Sequence, residues 1–230
     1  MINKIKEDKH HAEGLLSKEY YTKRQEKSDL KYRLHRRTNE IINSILKFKG
    51  KKISELVDIG TCEGAMLKIF QKELDIETTI GIDVSKIGMK NNKRILFVQA
   101  NCIELPFKEK GFDVLTAAAL IEHVSDPKKT MTEFYRILKK GGLCIITTPS
   151  PFFEWIATKI GYLEKDEHNE TFTLKKLERL FEETGFEIKL AKNFMISPIG
   201  FPKEEKIEKF LTKIKLDKLM CNQLIVGAKI

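Results

Sequence analysis

The sequence predicts an α/β fold: a doubly wound, mostly parallel sheet of seven strands with helices on both faces. Short apolar segments alternate with amphipathic segments along most of the 230 residues, which is the pattern of strands that alternate with helices. The first apolar segment runs into a turn bracketed by Gly60 and Gly64 and then into a helix. Polar residues also follow several strands at their carboxyl ends, where sheets of this kind bind ligands.

Seven short, apolar segments are predicted as strands. They are residues 56–59, 78–84, 95–99, the first half of 111–124, 143–149, 186–190 and 222–229. A long helix over 24–48 is predicted before them, because apolar side chains recur there at helical spacing. Further helices are predicted from residue 65, over 127–140, over 173–184 and within 203–219.

Several predicted helix ends carry residues typical of caps. Asp126 is placed to accept a hydrogen bond from the first turn of its helix, and Pro127 suits the first helical position. That helix is expected to stop at Gly141-Gly142. Thr173 is placed to cap the next helix, and Gly185 to end it.

The composition predicts one domain with a modest addition. Hydrophobic residues make up 41% and charged residues 33% of the chain, as in globular proteins. Residues 1–8 lack the apolar core of a signal peptide, and the longest low-polarity run, 114–121, is too short to span a bilayer. The four cysteines are scattered and form no C-x-x-C pair, so neither a disulfide framework nor a zinc site is expected. We therefore expect a cytoplasmic protein with reduced thiols.

The net charge of +9 is concentrated near the N-terminus. Residues 1–52 hold 15 basic and 7 acidic residues, whereas the remainder is nearly balanced. We interpret 1–52 as a basic helical segment that packs as a lid, and 53–230 as the ligand-binding domain. That domain would carry an aromatic insertion at 150–170 and a helical insertion near 203–219. The basic segment indicates either an anionic partner or a solvated basic face.

The turn after the first strand reads Asp58-Ile59-Gly60-Thr61-Cys62-Glu63-Gly64. A dinucleotide-binding turn would have a second glycine where Cys62 stands, to let the pyrophosphate approach. Glu63 would also repel a pyrophosphate. Acids on both sides of the turn favour a ligand with positive charge, such as S-adenosylmethionine (SAM), which carries an ammonium and a sulfonium.

The segment 58–64 resembles the first motif of class I SAM-dependent methyltransferases, D-x-G-x-G-x-G, with Cys62 in place of the middle glycine. The run Gly111-Phe112-Asp113-Val114 with Glu122-His123 resembles the fourth-strand motif of the small-molecule methyltransferases. The resemblance covers about residues 55–190 and is loosely closest to the quinone-biosynthesis O-methyltransferases. It implies the Rossmann-like fold of that family and SAM as the cofactor.

The resemblance also implies a set of cofactor-binding residues. Asp83, at the end of the second strand, would accept both ribose hydroxyls, and Asn101 would bind the adenine amino group. The expected cofactor-binding residues are Asp58, Gly60, Thr61, Cys62, Gly64, Asp83, Val84, Asn101, Cys102, Ala118 and Arg37. Arg36 and Arg37 would pair with a carboxylate of SAM or of an anionic acceptor, or else lie on a solvated helix face.

Methyl transfer needs a base only when the nucleophile carries a proton, and His123 is the candidate. Its alternative role is packing at the start of a helix. His168 is a second candidate, and His10 and His11 are expected in an exposed tail. Some quinone-type relatives bind a metal through E-x-x-E-H, but Ala119 replaces the first acid, so we predict no tight metal site.

The predicted function is methyl transfer from SAM to a small-molecule acceptor by in-line displacement. The aromatic insertion would form a wall of the acceptor pocket, or else pack in the core. The basic segment suits an anionic acceptor and the insertion an aromatic one. Two alternatives stay open: an RNA or protein methyltransferase that uses the basic segment, and a SAM-binding protein without catalysis. The acceptor, the methylated atom and the oligomeric state are not predicted.

Overall fold

The computed structural model describes residues 27–85, 94–161 and 169–230. Its centre is a seven-stranded sheet in the order β3-β2-β1-β4-β5-β7-β6. The strands are β1 (Lys52–Ile59), β2 (Asp75–Asp83), β3 (Ile95–Gln99), β4 (Phe112–Ala118), β5 (Leu138–Pro149), β6 (Phe186–Phe194) and β7 (Asn222–Lys229). Only β7 runs antiparallel to its neighbours, so the prediction of a doubly wound, mostly parallel seven-stranded sheet is confirmed.

Six α-helices connect or flank these strands within the described residues. They are α1 (Ser28–Phe48), α2 (Ala65–Glu73), α3 (Pro127–Ile137), α4 (Pro151–Lys159), α5 (Leu174–Glu183) and α6 (Glu204–Lys213). Two 3₁₀ turns, Ile121–His123 and Asp217–Leu219, precede α3 and β7. No described helix is long and apolar enough to cross a membrane.

Each face of the sheet is covered by its own apolar core. On one face, α3 and α5 bury large side chains such as Phe134 and Phe181 against the sheet. On the other face, α1 and α2 do the same with Ile45 and Phe70, and Phe194 at the end of β6 joins them. Apolar burial on both faces leaves the ends of the central strands as the place for most of the polar chemistry.

Helix α1 contributes to this core as well as to the surface. Ile41 and Ile45 are completely buried, so the C-terminal half of the helix packs as part of the domain. The helix ends as predicted, where Gly50 adopts a φ of 88° and its N–H bonds the carbonyl of Ile45. Its role as a lid stays a prediction, and residues 1–26 lie outside the described part.

The predicted caps of α3 and α5 are confirmed. Asp126 accepts a hydrogen bond from the backbone N–H of Lys129, and Pro127 occupies the first turn. The Thr173 hydroxyl accepts from the N–H of Lys176, although α5 starts one residue later than predicted. Local side-chain chemistry is therefore enough to place these helix starts.

Several predicted boundaries are wrong. Helix α3 ends at Ile137 instead of 140, because Leu138 already pairs with Phe112 of β4 and is completely buried there. The Gly141-Gly142 pair thus lies inside β5 instead of ending a helix. Helix α1 starts at Ser28, since Lys27 is extended, and not at residue 24.

Candidate active site

The turn between β1 and α2 is the most constrained part of the site. The N–H groups of Gly60 and Thr61 donate to the carbonyl of Ile82 in β2, at 2.8 and 2.9 Å. Gly60 and Gly64 have φ angles of 74° and 71°. A Cβ on Gly64 would lie 2.7 Å from Cζ of Phe97, so the turn needs glycine there for conformation and for space.

Cys62 stands between these glycines and adopts a φ of 51°, which is unusual for a residue with a side chain. The side chain is 6% exposed, and its Sγ lies 3.7 Å from the carbonyl oxygen of Gly60. The thiol therefore folds back onto the turn. The departure from the usual glycine is accommodated within the turn itself.

Asp83 links this turn to the end of β2. Its Oδ2 accepts from the N–H of Cys62 at 2.9 Å, and its Oδ1 accepts from the N–H of Ser85 at 3.0 Å. A carboxylate has about four acceptor positions, so one bond to each oxygen fixes the group and leaves capacity for two hydroxyls. An anchored, half-buried carboxylate beside a glycine turn fits the ribose of the expected cofactor.

Asp58 lies near the carboxyl end of β1, just before the turn. It is 2% exposed, and its Oδ1 accepts from the hydroxyl of Thr116 at 2.6 Å. The two residues are paired across β1 and β4. The contact therefore holds these strands together directly below the turn.

The residues expected around the adenine lie at the ends of β2, β3 and β4. Val84 is 39% exposed, and its carbonyl accepts from Nε2 of Gln99. Asn101 follows β3 and is exposed, and its Oδ1 accepts from the N–H of Ile103 at 3.2 Å. Since Asp83 pairs with Gln99, both lie at the same edge of the sheet.

Cys102 and Ala118 complete that group. Burial raises the pKa of the Cys102 thiol, and the Thr130 hydroxyl, 3.7 Å away, offsets only part of the effect. Cys102 is therefore a neutral, half-buried side chain at neutral pH. Ala118 is the last residue of β4, and Ala119 after it turns the chain with a φ of 53°.

His123 ends the 3₁₀ turn that follows β4 and is half-buried. Its carbonyl accepts from Nδ2 of Asn169 at 2.6 Å, which fixes the backbone of the turn. His123 thus lies just beyond the carboxyl end of β4, and its place beside an acceptor stays a prediction. His168, His10 and His11 lie outside the described residues.

The neighbouring Glu122 belongs to a buried polar cluster that sequence reasoning largely missed. Glu122 is completely buried, and its Oε2 accepts from the Thr148 hydroxyl at 2.9 Å. No hydrogen-bond partner for its Oε1, or for the buried hydroxyl of Thr147, is found among the described residues. The sequence feature that could have revealed this cluster is the Thr147-Thr148 pair at the end of an otherwise apolar strand. Such unpaired buried groups are rare away from functional sites.

The two arginines of α1 have different environments. Arg36 is 8% exposed and pairs with Glu40 and with Glu208 of α6, so the interpretation as a solvated face is wrong for it. Arg37 donates from Nε to Oδ1 of Asn222 at 3.0 Å. Asn222 pairs with the last residue of β5, which places Arg37 beside the carboxyl edge of the sheet.

The aromatic insertion forms α4 and one wall of an apolar cavity of about 240 Å³. Phe153 is 7% exposed and packs with Ala157 and Cys221, so the alternative prediction, packing in the core, is confirmed for this residue. Phe152 and Ile156 line the cavity, together with Pro198 and Leu219 from later elements. Burial raises the pKa of the Cys221 thiol to about 12, so this wall is uncharged.

No cluster of three or more His, Cys, Asp or Glu side chains suited to a metal occurs in the described ranges. The absence of a tight metal site stays a prediction. The geometry that is present consists of one anchored carboxylate, a glycine turn, a half-buried histidine and an apolar cavity along one edge of the sheet.

Comparisons with known proteins identify the family to which this chain is similar. A family model described as a methyltransferase domain matches residues 30–190. The chain is 33% identical over 125 residues to a demethylmenaquinone methyltransferase of Bacteroides fragilis, which covers 48% of this chain and 49% of that protein. It therefore spans about half the length of this relative.

Two solved structures share the fold. The YcgJ protein of Bacillus subtilis has a TM-score of 0.61 at 19% identity, with 85% of this chain and 98% of that one covered. A phosphoethanolamine N-methyltransferase of Haemonchus contortus, solved with phosphomonomethylethanolamine and S-adenosylhomocysteine, has a TM-score of 0.60 at 19% identity. That match covers 83% of this chain and 52% of the other.

Proposed function

The chain belongs to the methyltransferase-domain family, and on that premise we propose that it transfers a methyl group from SAM to a small-molecule acceptor. The observation that carries the proposal is Asp83. Its carboxylate is anchored by the N–H groups of Cys62 and Ser85 beside the glycine turn, with acceptor capacity left for a ribose.

In this proposal SAM supplies a methyl group on a sulfonium, which is already a good leaving group. The turn residues Gly60, Thr61 and Gly64 bring the backbone close to the bound molecule. Asp83 binds the ribose hydroxyls, and Asp58 keeps β1 and β4 in register below the turn. The chain's main contribution is then to hold the two reactants within about 3–3.5 Å of each other.

The other expected cofactor contacts lie along the same edge. Val84, Asn101 and Cys102 surround the adenine, and Ala118 flanks the cofactor at the end of β4. Arg37 binds an anionic group, either the carboxylate of SAM or an acid on the acceptor, with Asn222 as its support.

His123 is the proposed base. It would take the proton from an acceptor hydroxyl or amine as the methyl group arrives. The polar cluster of Glu122 and Thr148 supports the 3₁₀ turn that carries His123. Oε1 of Glu122, which has no hydrogen-bond partner among the described residues, would orient an acceptor hydroxyl. The neighbouring apolar cavity suits an acceptor with an apolar part.

The test of this function is label transfer. The purified protein is incubated with methyl-labelled SAM and, separately, with a small-molecule extract, total RNA and a protein fraction. After separation from the labelled SAM, we expect a newly labelled compound in the small-molecule fraction only, and much less of it with an Asp83→Ala variant. Label in RNA or protein would favour those acceptors, and SAM binding without transfer to any fraction would favour a binding protein without catalysis.

Replacement of Cys62 by glycine should leave SAM affinity unchanged or increase it. Cys62 holds a positive φ that glycine adopts without strain, and such strain costs of order 1 kcal/mol or more. Its thiol contacts the turn itself. Calorimetric titration with SAM measures the effect.

The matched control is Lys110→Gly. Lys110 also has a positive φ, 58°, but it lies before β4, at the opposite edge of the sheet. We expect it to leave SAM affinity unchanged, and the relief of its positive φ to be partly offset by the greater freedom that glycine gives the unfolded chain. A large loss of affinity in Cys62→Gly alone would show that the thiol contacts the cofactor.

The N-terminal half of α1 is proposed as a lid. Tyr32 hydrogen-bonds Glu204, and the Arg33 guanidinium lies 5.5 Å from the ring centroid of Phe153, so this half reaches α6 and α4 beside the carboxyl edge. Hydrogen exchange in residues 10–37, of which 27–37 are described, should slow when SAM and acceptor bind. Equal exchange with and without ligand would make this segment a static part of the fold.

A further inference from the structure

We propose that one face of the protein docks onto the surface of an anionic lipid bilayer. The apolar-basic face consists of α4 with Ile160 directly after it, residues 199–201, α6 and residues 214–219. Ten of the fourteen large apolar side chains that are exposed among the described residues lie on these elements. Monomeric proteins rarely expose apolar side chains in such a cluster without a partner for it.

Helix α6 gives the strongest evidence for this docking surface, because two of its acidic residues face the protein interior and apolar residues face the solvent. Glu204 and Glu208 are buried, and they accept hydrogen bonds from the backbone N–H groups of Ile196 and Met195. Two of the three apolar residues of the same helix lie outside, Ile207 at 42% and Phe210 at 59% exposure. The two acids stabilise the fold, and the exposed apolar residues of α6 form a stripe that is suited to an apolar partner.

The stripe is continuous with the aromatic insertion. The 3₁₀ turn Asp217–Leu219 contacts both α6 and α4. Trp155 of α4 is 62% exposed, and Ile160, directly after the helix, is 73% exposed. Aromatic and aliphatic side chains of this kind insert into the boundary between lipid headgroups and acyl chains.

The positive charge of the apolar-basic face favours an anionic partner. Six lysines between residues 203 and 218 are all exposed, including Lys209 and Lys213 of α6. Because Glu204 and Glu208 point into the fold, the exposed or half-exposed acids of this segment are Glu205 and Asp217. A basic, apolar surface complements anionic lipids, to which each lysine near the bilayer contributes about 1 kcal/mol. Two copies meeting through this face would bring their lysines together instead.

Docking here would also bring the candidate active site to the bilayer. Helix α4 starts directly after β5, and the apolar cavity lies between α4 and the Leu219 turn. An acceptor with an apolar part could then enter from the lipid. The docking itself does not depend on methyl transfer, and it can be measured without SAM.

The test uses Trp155, the single tryptophan of the chain, as a built-in probe. The full-length protein is mixed with vesicles of phosphatidylcholine alone or of equal parts phosphatidylglycerol and phosphatidylcholine. With the anionic vesicles we expect a blue shift of tryptophan emission and co-sedimentation of the protein, both reduced by high salt. With the neutral vesicles we expect little of either.

Two variants and one control make the test specific. Lys209→Glu with Lys213→Glu should weaken binding to anionic vesicles by on the order of tenfold or more. Phe210→Ser with Ile214→Ser should abolish the blue shift while the thermal unfolding midpoint stays close to that of the parent. The control, Lys68→Glu with Lys72→Glu, reverses two exposed lysines at the same spacing on α2 and should bind as the parent does.

Three results would overturn the proposal. One is the absence of binding to anionic vesicles. Another is equal loss of binding in the α2 control, which would mean that net charge alone is responsible. The third is a blue shift that grows with protein concentration without vesicles, which would show that the face pairs with a second copy of the chain.

Discussion

Replacing Asp83 by alanine should weaken SAM binding by on the order of 100-fold or more. The variant loses two hydrogen bonds from a carboxylate to the ribose, and bonds to charged groups contribute about 1.5–3 kcal/mol each. It also leaves the N–H groups of Cys62 and Ser85 without their acceptor, which loosens the turn. Titration calorimetry with S-adenosylhomocysteine measures the loss.

The conservative variant Asp83→Asn separates the two effects. An asparagine keeps one oxygen for the turn but loses the charge and one acceptor, so its affinity should lie between those of the parent and Asp83→Ala. Thermal unfolding reports whether the turn stays folded. Parent-like affinity in Asp83→Ala would mean that the ribose is held elsewhere.

Replacing His123 by alanine should lower kcat by ~10²-fold or more while SAM affinity stays nearly intact. The imidazole is the proposed acceptor of the proton from the nucleophile. Only a neutral imidazole takes a proton. The parent's activity should therefore fall at acidic pH, and the variant should lose this acidic limb. Steady-state rates with the acceptor found by label transfer give both readouts.

The control is His35→Ala, which removes an exposed histidine on α1 and should leave kcat and the pH profile unchanged. If His123→Ala retains the parent's kcat, the transfer depends on proximity alone, and His123 has a packing role. The carbonyl of His123 holds Asn169 in either case, so the backbone of the 3₁₀ turn is preserved in the variant.

The sheet and the glycine turn after β1 could be predicted from the sequence because their signals are local. Asp126 and Thr173 start their helices through hydrogen bonds to residues three positions away. Gly60 and Gly64 mark the turn because their positive φ angles suit glycine. Such features depend on neighbours along the chain, which a single sequence displays.

The predictions were wrong where contacts between residues far apart in the sequence determine the structure. Leu138 belongs to β5 because Phe112, far away in sequence, pairs with it, and the local pattern favoured helix. Arg36 is buried because Glu208, 172 residues later, neutralises it together with Glu40. The buried bond between Asp58 and Thr116 likewise joins two strands that only the fold brings together. Tertiary contacts of this kind leave no local signal in the sequence.

The inverted polarity of α6 could not be predicted for the same reason. Its sequence shows a mixed basic and acidic helix, and the hydrogen bonds from Ile196 and Met195 decide which side faces inward. Those contacts turn Glu204 and Glu208 into structural groups and leave Phe210 outside. Sequence reasoning found the helix but not the surface that it forms.

Equilibrium binding of SAM tests the central claim most directly. A calorimetric titration of the purified protein needs no knowledge of the acceptor. We predict saturable binding at one site per chain, weakened strongly by Asp83→Ala and not by Cys62→Gly. The absence of any heat of binding, with S-adenosylhomocysteine as well as SAM, would contradict the assignment of this site as a methyl-donor site.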